Sequence, residues 1–70
     1  MVGWERSVYS TMVQAIGYDP DTNELIVTWN NGKRSAYGNV SEDEAADIAN
    51  APSVGQAVNA IKHARPHRYL

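Results

Sequence analysis

A chain of 70 residues is long enough for one small domain, which must fold without cross-links because it contains no cysteine. The lack of cysteine excludes a disulfide framework, a thiolate zinc site and a cysteine nucleophile, and it suits a reducing, cytoplasmic setting. A formal net charge of −2 argues against a surface that is basic throughout, which dedicated nucleic-acid binders usually have. At most a local basic patch is expected.

The first eleven residues show no sustained hydrophobic period. Trp4, Val8 and Tyr9 stand among polar residues here, and we interpret residues 1–11 as an N-terminal arm or an edge strand. The segment has no continuous apolar stretch of the kind that a signal peptide needs. Apolar runs elsewhere in the chain are far shorter than a membrane span, so no membrane association is expected.

The stretch 15–40 predicts a three-stranded antiparallel meander around which the rest of the chain is organised. Its first strand, residues 12–18, alternates weakly between apolar and polar positions. The second strand, residues 24–29 (ELIVTW), is rich in β-branched residues, and its alternation predicts a core position for Trp29. The third strand, residues 33–37, follows directly after a turn.

Two turns connect these strands. Residues 19–22 (DPDT) have the chemistry of a type I turn, and Asn23 tolerates the left-handed conformation that closes such a loop. The dipeptide Asn31-Gly32 is typical of a two-residue hairpin loop, and it predicts a type I′ turn with positive φ at both residues.

Two helices follow the third strand. Ser41 and Glu44 have the spacing of a capping box, and Ser53 and Gln56 repeat it twelve residues further on. Apolar residues recur at helical spacing after each box, and Pro66 ends the second helix.

The predicted architecture is therefore an α+β fold in one domain, residues 1–70. It consists of a three-stranded antiparallel meander followed by two short helices packed on one face. Residues 66–70 are predicted to form a basic C-terminal tail, because the final nine residues carry three bases and no acidic side chain.

One set of apolar, aromatic, glycine and polar positions is spread over most of the chain. It consists of Ile16-Gly17-Tyr18-Asp19, Leu25-x-Val27-x-Trp29, Gly32, Tyr37, Val40, Ala51-x-Ser53-x-Gly55, Asn59 and Ile61-Lys62. In this set the sequence resembles the KTSC domain, a short module appended to some lysyl-tRNA synthetases and also free-standing in bacteria and phages. The synthetase context implies RNA binding. The central Tyr-x-Tyr of the family is reduced here to Ser35-Ala36-Tyr37, and Asn59 and Ile61 stand one residue closer than in the family pattern.

Motifs for catalysis and for metal binding are absent from the sequence. It has no G-x-S-x-G, phosphate-loop or dinucleotide-binding pattern, and helix capping accounts for the acids of residues 42–47. His63 and His67 have a metal-ligand spacing, but Pro66 separates them and no acid lies nearby, whereas zinc needs three or four ligands. We expect no enzyme activity, no metal and no cofactor.

Aromatic and basic residues form the candidate binding surface: Tyr37, Lys33, Arg34, Lys62, Arg65, Arg68 and Tyr69. The small size, the mild acidity and the lack of catalytic groups favour a non-catalytic module that binds a protein partner, such as a phage-type inhibitor or adaptor. The alternative is an accessory domain that binds RNA or single-stranded nucleic acid, with aromatic rings on bases and cations on phosphates. The free edge of so small a sheet also permits a homodimer.

Overall fold

The computed structural model describes residues 3–70, which form one five-stranded antiparallel sheet and two helices. Residues 1 and 2 of the predicted arm lie outside the described residues. The order of the strands in the sheet is their order in the chain. The elements are β1 (Trp4–Ser7), β2 (Val13–Asp19), β3 (Glu24–Trp29), β4 (Arg34–Tyr37), α1 (Glu42–Ala49), α2 (Val54–Lys62) and β5 (His67–Tyr69).

The α+β class is confirmed, but the predicted number of strands is wrong, because five are present rather than three. Within the N-terminal segment, β1 realises the edge-strand alternative by pairing with β2. The predicted tail contains β5, which pairs with β4 at the other edge of the sheet. Since β5 has only three residues, all exposed, it has no alternation of buried and exposed positions from which a strand could be predicted.

One face of the sheet carries the hydrophobic core. Residues directly opposite one another on paired strands share a face, and one such row runs across all five strands. This row consists of Trp4, Tyr18, Leu25, Tyr37 and His67. The two helices pack on this face, and their buried side chains join the cluster formed by the strands. They contribute Ala45, Ile48 and Ala49 from α1 and Val54, Val58 and Ile61 from α2.

The loops follow the predicted turn chemistry with one exception. Asn23 has a φ of 55°, so it adopts the left-handed conformation predicted for it. In the β3–β4 hairpin Gly32 has a φ of 88°, whereas Asn31 is not among the described residues with positive φ. The predicted type I′ turn is therefore wrong. Trp29 pairs with Lys33 instead, and the Gly32 amide donates to the Trp29 carbonyl (2.9 Å), which gives a three-residue loop closed by a left-handed glycine.

The serine caps determine where each helix begins. The hydroxyl of Ser41 accepts a hydrogen bond from the Glu44 amide (3.2 Å), and that of Ser53 accepts one from the Gln56 amide (3.4 Å). Both predicted caps are thus present. From the second cap, α2 runs nine residues to Lys62, which lies in its last turn. Within residues 3–70 neither helix has the length and apolar character needed to cross a membrane.

Candidate ligand-binding pocket

A cavity of about 610 Å³ lies on the helix-bearing face of the sheet, where the β3–β4 hairpin, β5 and the end of α2 meet. It combines aromatic, cationic and small polar side chains. Its lining residues are Trp29, Asn31, Lys33, Arg34, Ser35, Tyr37, Lys62, His67, Tyr69 and Leu70. Five of the seven candidate surface residues predicted from the sequence are in this set. We call it the hairpin pocket.

The floor of the hairpin pocket is a hydrogen-bonded pair of side chains from adjacent strands. The indole Nε1 of Trp29 donates to the hydroxyl of Ser35 across 3.1 Å. Ser35 is 1% exposed, and Trp29 is half-buried and packs against the core. Trp29 is therefore a core residue only in part, because the rest of its side chain borders the pocket.

Three rings form the wall that β4 and β5 build together. The His67 ring lies 5.7 Å from the Tyr37 ring at an angle of 35°, and it meets the Tyr69 ring edge-on at the same distance. These contacts arise because Tyr37 is paired with His67, and Tyr69 lies two residues further along β5 on the same face. Tyr37 is 2% exposed and Tyr69 is 76% exposed. Tyr69 is thus the ring open to a ligand, whereas Tyr37 is largely covered.

The Tyr37 hydroxyl stays neutral in this setting. Burial raises the pKa of Tyr37 above its ordinary value of 10.0, and the nearby Tyr69 raises it further, while a hydrogen bond with Ser35 opposes the shift. At neutral pH the Tyr37 phenol is therefore uncharged, and it adds no negative charge beside the cations of the pocket.

The cations of the pocket are the two lysines of the chain, Lys33 on the hairpin and Lys62 at the end of α2. Both are exposed, and neither forms an ion pair within residues 3–70. None of the eight Asp and Glu residues, all of which are described, lines the pocket. Two ammonium groups without an Asp or Glu neighbour give the hairpin pocket cationic side chains on a chain that is acidic overall.

Arg34 borders the pocket, but its side chain lies on the other face of the sheet. Because alternate residues of a strand point to opposite faces, Arg34 lies on the face opposite to Ser35. Its guanidinium is 3.6 Å from the carboxylate of Glu5, a residue of β1. Arg34 thus pairs with an acid on the face of the sheet opposite to the pocket.

The two remaining predicted cations, Arg65 and Arg68, are outside the pocket and bind carboxylates. Arg65 donates two hydrogen bonds to Glu44 (both 2.8 Å) and one to the Asn39 carbonyl (2.7 Å). Arg68 donates two hydrogen bonds to Glu24, both 3.0 Å long. Both arginines hold the segment after α2 against the body of the domain.

The pocket includes residues that the sequence does not single out for the binding surface, among them Asn31, Ser35, His67 and Leu70. Their contribution depends on the pairing of β5 with β4, which places His67 and Tyr69 beside Tyr37 and Ser35. No local signal marks this pairing. Among residues 3–70 there is no group of three acidic or histidine side chains that could hold a metal ion.

These features define a small α+β domain with an aromatic, cationic pocket on the helix-bearing face of its sheet. The chain belongs to the KTSC domain family, whose sequence profile matches residues 9–64. The fold is similar to the crystal structure of a KTSC domain protein from Yersinia pestis, with a TM-score of 0.86 and 26% sequence identity over 96% of each chain. A comparison with curated proteins gave no significant match. The family match includes Trp29, Ser35, Tyr37 and Lys62, while the β5 residues of the pocket lie beyond it.

Proposed function

We propose that this domain is a non-catalytic module that binds single-stranded nucleic acid through the hairpin pocket. The observation that carries the proposal is the meeting, in one cavity, of an open aromatic ring with two unpaired ammonium groups. Single-strand binders combine the same two elements, because every base has a face that stacks on an aromatic ring and every linkage has a phosphate. A cytoplasmic location is part of the proposal and is supported by the lack of cysteine.

The acidic net charge is compatible with this function because the acids are kept apart from the pocket. Four of them lie on α1 and three lie around the β2–β3 turn. The eighth, Glu5, is on β1 at the opposite edge of the sheet from β5. An anion that approaches the end of α2 thus meets Lys33 and Lys62 first, and the carboxylates disfavour its approach elsewhere.

In the proposed complex each group of the pocket has a chemical role. A base stacks on Tyr69, whose side chain is 76% exposed, and Trp29 lies in the floor of the pocket. The ammonium groups of Lys33 and Lys62 bind the adjoining phosphates. The amide of Asn31 offers both a donor and an acceptor to a base edge.

The test is binding of labelled single-stranded RNA and DNA at low ionic strength, measured by fluorescence anisotropy. We expect Tyr69→Ala to weaken binding about five- to a hundredfold, as loss of one stacking ring does in single-strand binders. Tyr9→Ala is the matched control, because Tyr9 is fully exposed and outside the pocket. Absence of binding by the wild-type domain at low salt, or equal losses in both variants, contradicts the proposal.

A protein partner is a second candidate function, and a separate observation favours it. Tyr9 and Met12 lie in the β1–β2 connection, and they are 104% and 43% exposed. Exposed aromatic side chains are frequent anchors of protein interfaces. An inhibitor or adaptor that uses this surface should lose its partner in Tyr9→Ala and retain it in Tyr69→Ala, as measured by co-purification with a defined partner. The reverse pattern, or no partner at all, counts against this candidate.

A further inference from the structure

We infer that the hairpin pocket is a site for one nucleotide unit, a base with its adjoining phosphates, and not part of a groove that follows a long strand. This inference deepens the proposed function and rests on it. Three properties of the structure support it: the number of unpaired cations, the number of open rings and the size of the cavity.

The first property is the number of unpaired cations. Of the six lysine and arginine residues, only Lys33 and Lys62 are both in the pocket and unpaired within residues 3–70. Three of the arginines are held by carboxylates, Arg34 by Glu5, Arg65 by Glu44 and Arg68 by Glu24.

The sixth cation, Arg6, does not extend the site. It donates to the side-chain oxygen of Asn50 (3.1 Å) and lies on β1, at the sheet edge farthest from β5. A strand that left the pocket would therefore find no row of free cations to follow on the part of the chain that the structure describes.

The open aromatic surface suffices for one base. Tyr69 is 76% exposed, whereas Tyr37 is 2% exposed with its ring against His67, and Trp29 is half-buried. The remaining highly exposed aromatic residue, Tyr9, lies on the β1–β2 connection outside the pocket. The other exposed ring of the site, His67, lies against both Tyr37 and Tyr69 at 5.7 Å, so a second base has no separate ring on which to stack.

The cavity has the size of a small-molecule site. Its volume of about 610 Å³ falls in the range of roughly 300–1,000 Å³ that is usual for pockets that hold cofactors and drug-sized ligands. Since a nucleotide is a ligand of this class, the pocket can enclose one unit.

The number of released counterions makes the inference quantitative. For a single strand the logarithm of the binding constant falls with the logarithm of salt concentration with a slope of about −0.7 per neutralised phosphate. Two lysines predict a slope of about −1.4. If the strand engaged all five candidate cations predicted from the sequence, the slope would be about −3.5.

The experiment measures affinity for a nucleoside monophosphate and for homopolymers of increasing length up to about sixteen nucleotides, the upper site size of an OB-fold. We expect affinity per site to level off by two nucleotides, with a salt slope of about −1.4 for the longer homopolymers. Continued gain with length, or a slope near −3.5, overturns the one-nucleotide inference and leaves the proposed function standing. Failure of both mononucleotides and polymers to bind overturns both.

Charge variants identify the groups responsible. Lys33→Gln and Lys62→Gln should each reduce the magnitude of the salt slope by about 0.7, whereas Arg6→Gln, which removes the same charge on β1, should leave it unchanged. Because the chain has only two lysines, amine acetylation read by mass spectrometry monitors the pocket directly and needs no substitution. Saturation with a mononucleotide should protect both side chains, and unprotected lysines in a saturated complex would refute the placement.

Discussion

At the scale of single residues, Ser35 has the most consequential position in the pocket. Its hydroxyl accepts the Trp29 Nε1 hydrogen, and its presence beside Tyr37 lowers the pKa of that phenol. It is 1% exposed and is the only buried polar or charged residue of the part of the chain that the structure describes. This buried hydroxyl gives the half-buried indole N–H a partner, without which the N–H would lose its hydration uncompensated.

We predict that Ser35→Ala lowers the free energy of unfolding by about 1 kcal/mol and raises the pKa of Tyr37 further above 10.0. The stability loss follows from a half-buried indole N–H left without its acceptor. The pKa rise follows because the hydrogen bond from Ser35 lowers the pKa of Tyr37, so that burial acts unopposed once the hydroxyl is gone. Urea denaturation and an NMR titration of the Tyr37 ring measure the two effects.

Ser7→Ala provides the control, because Ser7 is an exposed β1 residue outside the pocket. It should change neither quantity. A Tyr37 pKa that is the same or lower in Ser35→Ala would show that the hydroxyl does not control the ionisation of the phenol.

Residue chemistry also explains which local features could be predicted from the sequence. The caps at Ser41 and Ser53 and the left-handed Asn23 depend on groups only a few residues away, so their signals lie within one turn. The Asn31-Gly32 loop is at the predicted place but of a different type, because the pairing of Trp29 with Lys33 adds a third residue to the loop. Its type depends on strand register, which the dipeptide alone does not determine.

At the scale of elements, β5 determines whether the pocket is complete. It supplies His67 and Tyr69 to the wall, yet it is a three-residue edge strand with every residue exposed. Its anchorage comes from its pairing with β4 and from Arg68, which donates two hydrogen bonds to Glu24. Since Glu24 belongs to β3, this pair reaches across β4 and ties the edge of the sheet to its centre.

We predict that Glu24→Gln at neutral pH loosens β5 and weakens nucleotide binding by about two- to fivefold, the range expected for loss of an ion pair whose arginine is exposed. The substitution retains the shape of the side chain but removes the charge that orders Arg68. Hydrogen exchange of the β5 amides and mononucleotide affinity measure the effect.

Glu5→Gln is the matched control, because Glu5 is an exposed carboxylate paired with Arg34 and outside the pocket. It should alter neither the exchange of β5 nor the affinity. If the two variants behave alike, the Glu24–Arg68 pair does not position the strand.

The elements also show why the site could be predicted only in part. The sequence identifies the right types of residue, and Lys33, Tyr37, Lys62 and Tyr69 do line one cavity. It does not reveal that Arg65 and Arg68 are committed to acids, because their partners lie 21 and 44 residues away in the chain. Sheet order and helix placement decide these pairings, and neither follows from local patterns.

At the scale of the whole molecule, charge is segregated to an extent that the net value of −2 conceals. The Asp and Glu side chains lie outside the pocket, and three of them pair with arginines. The lysines alone carry the charge of the pocket. As pH falls and the acids are protonated, the six lysine and arginine residues lose their opposing charges, and repulsion among them disfavours the compact state.

We predict that Glu24 makes a pH-dependent contribution to global stability that disappears under acid conditions. The hydrogen bonds from Arg68 lower the pKa of Glu24 below its ordinary value of 4.5. A depressed folded-state pKa stabilises the fold fully above the unfolded-state value and progressively less as pH falls through the folded-state value. Urea unfolding of wild type and Glu24→Gln should therefore show a constant stability difference from neutral pH down to about 4.5, and convergence below it. A difference that persists in acid would mean that Glu24 stabilises the fold through packing, since the charge on which its pairing with Arg68 depends would already be gone.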